Sequence, residues 1–230
     1  MSAVIRSPNI WDSPAVYEIE NHAVDPDGRL LRQLRAGHDW TAQAVLDIGC
    51  GTGFYLPTFA GSARQVIGVE PHPPLVAGAR RRVRNAGLAN VDVRAGTAQQ
   101  LPVPNSSVDV AHARWAYFFG PGCEPGLIEL DRVMRRGGTA FIIDNDASRS
   151  TFGGWFRRAW PQYDVRAVET FFSSRGWARQ SIDMGWRFSR RTDFESVVRI
   201  EFAPALAAQI IAEHAGLDVD YAVNLWIKTF

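Results

Sequence analysis

The sequence predicts an α/β fold built on a doubly wound, mostly parallel sheet. Val45-Leu46-Asp47-Ile48 is a short apolar run of the kind expected of a strand covered on both faces, and Gly49, Gly51 and Gly53 end it in a turn. Helical and extended patterns then alternate from about residue 54 to residue 143. A late strand, helix, strand order closes the chain on the alternating segment Tyr221 to Lys228. A chain of 230 residues suffices for one large domain whose core needs neither disulfide nor metal.

Composition narrows the function classes. A hydrophobic share of 46% with 21% charged residues excludes a largely disordered chain, and a net charge of +1 provides no global field for nucleic acid or an anionic membrane. Cys50 and Cys123 have no metal-ligand spacing around them and read as free thiols in a reducing compartment. No basic region is followed by an apolar stretch at the N-terminus, and no run approaches the roughly 18 apolar residues of a membrane span. The expectation is a cytoplasmic protein.

Taken in order, residues 1–40 form a helical cap, with helices expected over Ala15 to Asn21 and Pro26 to Ala36 after the turn signals at Pro8 and Pro14. Trp11 and Tyr17 either close over a ligand or staple the cap to the sheet. Residues 41–145 form a cofactor-binding half: a first helix from Phe54 to Ala60 that Pro57 forces to start late, a second strand Gln65 to Glu70, and a helix Leu75 to Ala86. The arginines at 80, 81, 82 and 84 spread over that helix without interleaved aromatics and read as a solvated face. Strands follow at Val91 to Ala95 and Val108 to His112, then a helix from Pro125 to Met134 and a glycine turn at Gly137-Gly138 leading into a fifth strand. Residues 146–230 form a substrate-side half. It comprises an aromatic insertion at 151–163, a helix Ala167 to Arg175, an extended stretch Trp177 to Phe188, and a helical stretch Asp193 to His214 broken at Pro204.

The chemistry centres on Asp47. A carboxylate two residues before a glycine turn would repel a pyrophosphate, and it suits a cation. S-adenosylmethionine carries a sulfonium and an α-ammonium and no phosphate, so Asp47 attracts it directly or through a donor it orients. The spacing G-x-G-x-G also departs from the G-x-G-x-x-G of dinucleotide sites. V-L-D-I-G-C-G-T-G resembles motif I of the class I S-adenosylmethionine-dependent methyltransferases, G-V-E-P at 68–71 resembles that family's second-strand ending, and L-x-E-L-D-R-V-M-R-R-G-G its helix-to-strand signature. The likeness covers roughly residues 40 to 145 by motif. The group it points to within the family acts on small molecules, as the type 11 and ubiquinone-biosynthesis-like enzymes do.

The resemblance implies a Rossmann-like seven-stranded sheet with an antiparallel last strand. It assigns Asp47, Gly49, Cys50, Gly51 and Gly53 to the cofactor loop, Glu70 to the ribose diol, and Pro71 to the turn beside the sugar. Gly96-Thr97-Ala98 falls where the family reads G-D-A and meets adenine, with Thr97 replacing the acid and Gln99 placed to share the contact. Arg114, placed by position after the fourth strand and not by the resemblance, pairs with the cofactor's carboxylate or with an acidic substrate, or else forms a surface ion pair. Trp115 and Tyr117 line a substrate pocket or pack against the next helix, His112 reads as a hydrogen-bonded core histidine, and Asn145-Asp146 touch substrate or cap a loop. No general base and no metal site is identified. The expected reaction is methyl transfer to carbon, oxygen or nitrogen of a small-molecule acceptor, releasing S-adenosylhomocysteine. The alternative is a cofactor-binding regulator or partner protein without an open pocket beside the methyl. Nucleic acid is a minor candidate, because His112-Ala113-Arg114-Trp115 stands where amino-methylating enzymes of nucleic acids carry N/D-P-P-Y/F/W. The oligomeric state, a homodimer included, is left open.

Overall fold

A computed structural model describes Val4 and residues 6–230. The chain opens with three cap helices, α1 (Pro8–Asp12), α2 (Pro14–Ala23) and α3 (Arg29–Gly37). It continues β1 (Ala44–Ile48), α4 (Leu56–Ala60), β2 (Gln65–Glu70), α5 (Pro73–Asn85), β3 (Val91–Ala95), β4 (Val108–Arg114), α6 (Glu124–Val133) and β5 (Met134–Asn145). The last part is α7 (Thr151–Ala159), α8 (Val165–Ser173), β6 (Ala178–Arg187), α9 (Arg191–Glu201), α10 (Pro204–Glu213) and β7 (Asp218–Thr229).

The seven strands lie in the order β3-β2-β1-β4-β5-β7-β6. Strands β1 to β5 pair in parallel, whereas β7 runs antiparallel to both β5 and β6. Period-2 alternation divides each inner strand between two cores. Val45, Val66, Val110, Phe141 and Leu225 face the cap, α7 and α9, while Leu46, Ile67, Ala111, Ile142 and Trp226 face α6 and α8. Strand order reverses between β1 and β4, so the carboxyl ends of β1, β2, β4 and β5 open onto one crevice.

Sequence and structure differ in instructive ways. Pro57 occupies the first turn of α4, which begins only at Leu56, as its missing N–H dictates. Strand β4 runs two residues beyond His112, so Arg114 ends the strand and does not follow it. The glycines at 137 and 138 are not a turn between α6 and a strand: α6 stops at Val133 and β5 begins at once. Gly137, at φ +82°, donates its N–H to Phe230 O at 2.6 Å, and the register slips opposite Val108 and Val110. A bulge in the paired strand therefore replaces the expected turn. The arginine-rich helix does not present a phosphate-binding face. Arg80 donates twice to Val93 O, Arg82 pairs with Glu18 at 2.5 Å, and Arg81 and Arg84 are exposed.

The aromatic insertion folds as α7, started by Ser150 Oγ accepting from Gly153 N at 3.1 Å. One face is core: Phe152 is 2% exposed and its ring touches those of Trp155, Trp186, Phe202 and Tyr221. Phe152→Ala removes the centre of that cluster. It should destabilise the protein by about 3–5 kcal/mol, read as a lower urea midpoint with an unchanged slope.

Candidate active site

The crevice at the strand ends is a cavity of about 790 Å³. Asp47, Gly49, Cys50, Gly51, Glu70, Pro71, Thr97, Ala98, Gln99 and Arg114 all line it. Gly53 does not. A Cβ there would stand 2.9 Å from Leu56 Cδ1 and 3.2 Å from Ala79 Cβ, so its task is to let the loop seat on α5. Gly49 and Gly51 have φ of +69° and +55°, and a Cβ on Gly51 would meet Ile10 of the cap at 2.7 Å. The loop thus needs glycine both for its backbone and for the helix laid over it.

Glu70 is 4% exposed at the end of β2. Its Oε2 accepts the N–H of Gly51 and its Oε1 the N–H of His72, both at 3.0 Å. Burial raises its pKa against the pull of these two amides. One lone pair on each oxygen remains available to a ligand with two adjacent hydroxyls. Trp11 stacks on the His72 ring at 4.2 Å and 7°, and both Trp11 and Tyr17 line the cavity. The cap is also pinned: Glu18 accepts from Thr52 of the glycine loop and pairs with Arg82 of α5. Trp11 and Tyr17 therefore wall the cavity on a cap that is fastened to the sheet.

Asp47 meets the cavity with one oxygen already engaged. His112 Nδ1 lies 2.8 Å from Asp47 Oδ1, an arrangement that β1 and β4 impose by pairing residues 47 and 112 directly. His112 is 1% exposed between Tyr55 and Phe59, and it also lines the cavity with its Nε2 buried without a hydrogen-bond partner. Burial, with the charges of Asp47 and Glu70, pushes the Cys50 thiol up, and burial raises the Cys123 thiol to about 11. Both are free and buried.

Arg114 forms none of the ion pairs among the described residues. Its Nη2 donates to Asn21 Oδ1, its guanidinium lies over Tyr55 at 4.7 Å and Trp115 at 4.5 Å, and its Nη1 is buried without an acceptor. Trp115 and Tyr117 follow it at φ +49° and +58°, in the left-handed region that bulky residues rarely occupy. Both residues line the cavity, the Tyr117 ring also packs on Gly126 of α6, and such strain is the kind that gathers at functional sites. Tyr117 also hydrogen-bonds Gln99.

The far side of the cavity holds residues to which the sequence assigned no role: Glu20, Asn21, Asp144, Glu201 and Tyr221. Asn145 lines the cavity and accepts from the Tyr221 hydroxyl, but Asp146 does not line it. Asp146 accepts from Ser148 and Ser181 and pairs with Arg179, contacts that outweigh its burial and keep its pKa low. Phe156, Trp160 and Tyr163 line the mouth. Glu20 stands three residues from Tyr17, so a polar pair at helical spacing on the inward face of an apolar cap helix was the available signal. Glu201 gave none, because its helix meets the cap only through tertiary packing.

Among the described residues no cluster of His, Cys, Asp or Glu could hold a metal, and no helix is long and apolar enough to cross a membrane. Parallel strands closed by an antiparallel β7, with an acid at the end of β2 beside a glycine loop, define a class: the nucleoside-binding α/β transferases. The methyltransferase-domain family matches residues 46–142. The phosphatidylethanolamine N-methyltransferase of Cereibacter sphaeroides is 30% identical over 148 residues, 64% of this chain and 70% of that protein. The uncharacterized methyltransferase YcgJ of Bacillus subtilis is 31% identical over 103 residues, which span 45% of this chain and 41% of that relative's length. The crystal structure of YcgJ superposes with a TM-score of 0.65 at 19% identity, over 87% of this chain and 97% of that one. This chain belongs to the class I S-adenosylmethionine-dependent methyltransferase family.

Asp144 allows a pH test. It is 2% exposed and accepts from Asn145 N at 2.7 Å and the Tyr163 hydroxyl at 3.0 Å, and burial raises its pKa to about 6. An unfolded Asp titrates near pH 3.9. The folded state then holds the proton more tightly, so Asp144 lowers stability as pH rises from about 4 to about 6. Asp144→Asn cannot titrate. The stability of that variant relative to the parent should climb by about 2–3 kcal/mol across this window and level off above it, as read by urea unfolding at a series of pH values.

Proposed function

We propose that this chain transfers the methyl group of S-adenosylmethionine to a small-molecule acceptor. The observation that carries the reading is Glu70, presented by two main-chain amides beside a glycine loop that offers no helix N-terminus. The turn after Gly53 continues through Tyr55 before the five-residue α4 begins, so a pyrophosphate would lack the amides it needs. A ribose with two free hydroxyls fits Glu70, and the loop glycines leave room for the rest of a nucleoside.

When bound, S-adenosylmethionine supplies an electrophilic methyl on a sulfonium. The residues around it align and shield. Glu70 takes the ribose, the 97–99 turn borders the adenine, Asp47 balances the α-ammonium, and the unpaired Nη1 of Arg114 suits the carboxylate. Tyr55, Trp115 and Tyr117 exclude water, and the gain is mainly alignment in a dry pocket. A cofactor-binding regulator would need no space beyond the cofactor. The cavity that extends from the glycine loop to Tyr221 favours an acceptor.

Calorimetric titration with S-adenosylmethionine, S-adenosylhomocysteine and NAD tests the cofactor. Micromolar binding of the first two without NAD is the expected outcome, and binding of NAD alone would end the transferase reading. Asp47→Asn preserves an acceptor for His112 while removing the charge, and should weaken S-adenosylmethionine about tenfold or more; unchanged affinity would remove Asp47 from the site. Glu70→Ala should penalise the intact cofactor far more than its 2′,3′-dideoxy analogue, whereas equal losses would refute the ribose role.

A further inference from the structure

A buried acid pair in the same cavity lies outside the residues assigned to the cofactor. Glu20 of α2 and Glu201, the last residue of α9, meet where the cap leans on the C-terminal half, and both line the cavity. Their carboxyls lie side by side, and Glu201 Oε1 accepts Asn9 Nδ2 at 2.6 Å. Burial pushes both pKa values up.

One atom of the pair is incomplete. Glu20 is 3% exposed, yet its Oε2 has no hydrogen-bond partner. A buried carboxyl oxygen left without a donor carries its full desolvation cost. In a cavity wall the missing donor belongs to the occupant. Arg114 is close enough to be felt by Glu20 but turns its guanidinium to Asn21, Tyr55 and Trp115 and pairs with neither glutamate. Tyr221 spends its hydroxyl on Asn145. Aromatic rings complete the enclosure, with Tyr17 and Tyr221 lining the cavity and Trp115 5.9 Å from Tyr221.

A hydroxyl acceptor would bring one donor and no charge. An ammonium brings up to three donors and the positive charge that a carboxylate pair and aromatic faces both favour. We propose that Glu20 and Glu201 anchor the methyl acceptor, and that this acceptor is an amine bound as its ammonium. The proposal rests on the methyl-transfer reading of the same cavity. The ammonium passes a proton to a carboxylate of the pair, and the freed nitrogen lone pair attacks the methyl carbon. The nitrogen–carbon bond forms as the sulfur–carbon bond breaks, with its electron pair left on sulfur. The methylated ammonium leaves, and the pair returns one proton to water.

The test is calorimetry on the full chain saturated with S-adenosylhomocysteine at pH 7. The probes are matched amines and alcohols: butylamine and butanol, benzylamine and benzyl alcohol, 2-phenylethylamine and 2-phenylethanol, cyclohexylamine and cyclohexanol. At least one amine should bind about tenfold more tightly than its alcohol, the scale of a charge-assisted hydrogen bond in a buried site. Glu201→Gln should abolish that preference while leaving S-adenosylhomocysteine affinity within about twofold, since Gln still accepts from Asn9. Glu20→Gln is the second variant should the first unfold. Alcohols binding as well as amines, no amine binding at all, or a preference that survives in the folded variant would each overturn the proposal. Failure of S-adenosylhomocysteine to bind the parent protein would instead strike the transferase reading.

Discussion

The Glu70 carboxylate joined to the main-chain amides of Gly51 and His72 is the contact on which the site depends. It ties the end of β2 to the glycine loop after β1 and to the entry of α5, adding to the main-chain bonds that Gly49 and Cys50 donate to Val69 O. Two charge-assisted hydrogen bonds fix the loop in a conformation only glycine tolerates, and the same loop then becomes the floor on which Ile10 of the cap rests. His72, whose amide completes the contact, carries the ring on which Trp11 stacks. One carboxylate therefore organises the loop, the helix entry and the cap.

A second constraint is the parallel pairing of β1 with β4. Register places Asp47 opposite His112, so the acid reaches the crevice with a neighbour that fixes its orientation. Continuing β4 two residues brings Arg114 to the crevice, and the left-handed backbone beyond it swings Trp115 and Tyr117 over the same space. The fold makes a rigid ligand wall from strand ends, and irregular backbone occurs where that wall must curve. Fold alone does not select an activity. The residues on the wall do so, and they fall into two sets: a nucleoside half around Glu70 and a carboxyl and aromatic half around Glu20, Glu201 and Tyr221.

The substrate-side half is built differently. Its groups come from α2, β5, α9 and β7, which lie far apart in the chain, and its polar side chains are mutually bonded. Tyr221 with Asn145, Tyr163 with Asp144 and Asn9 with Glu201 link the cap, the insertion and the last strand into one lining. Asp146, beside them, belongs to a separate cluster with Ser148, Ser181 and Arg179 that secures the end of β5 to β6. Asp144 and Asn145 at the end of β5 thus line the cavity, while Asp146 just beyond the strand serves the scaffold.

What the sequence by itself determined was local: apolar runs of strand length, glycines where the backbone must turn left-handed, prolines that delay helix starts, and an acid closing the second strand. These depend on residues within a few positions of one another, so the cavity lining from Asp47 through Gln99, Gly53 apart, was legible as a lining. The glycines at 137 and 138 misled, because a bulge inside a paired strand carries the same local signal as a turn and only the partner strand distinguishes them. The same limit applied to the acceptor half. Glu20 meets Glu201 across 181 positions of chain, and whether a glutamate is a solvated surface group or half of a buried pair is decided by desolvation and by the neighbour it finds. Those are properties of the packed chain, and only the tertiary structure supplied them.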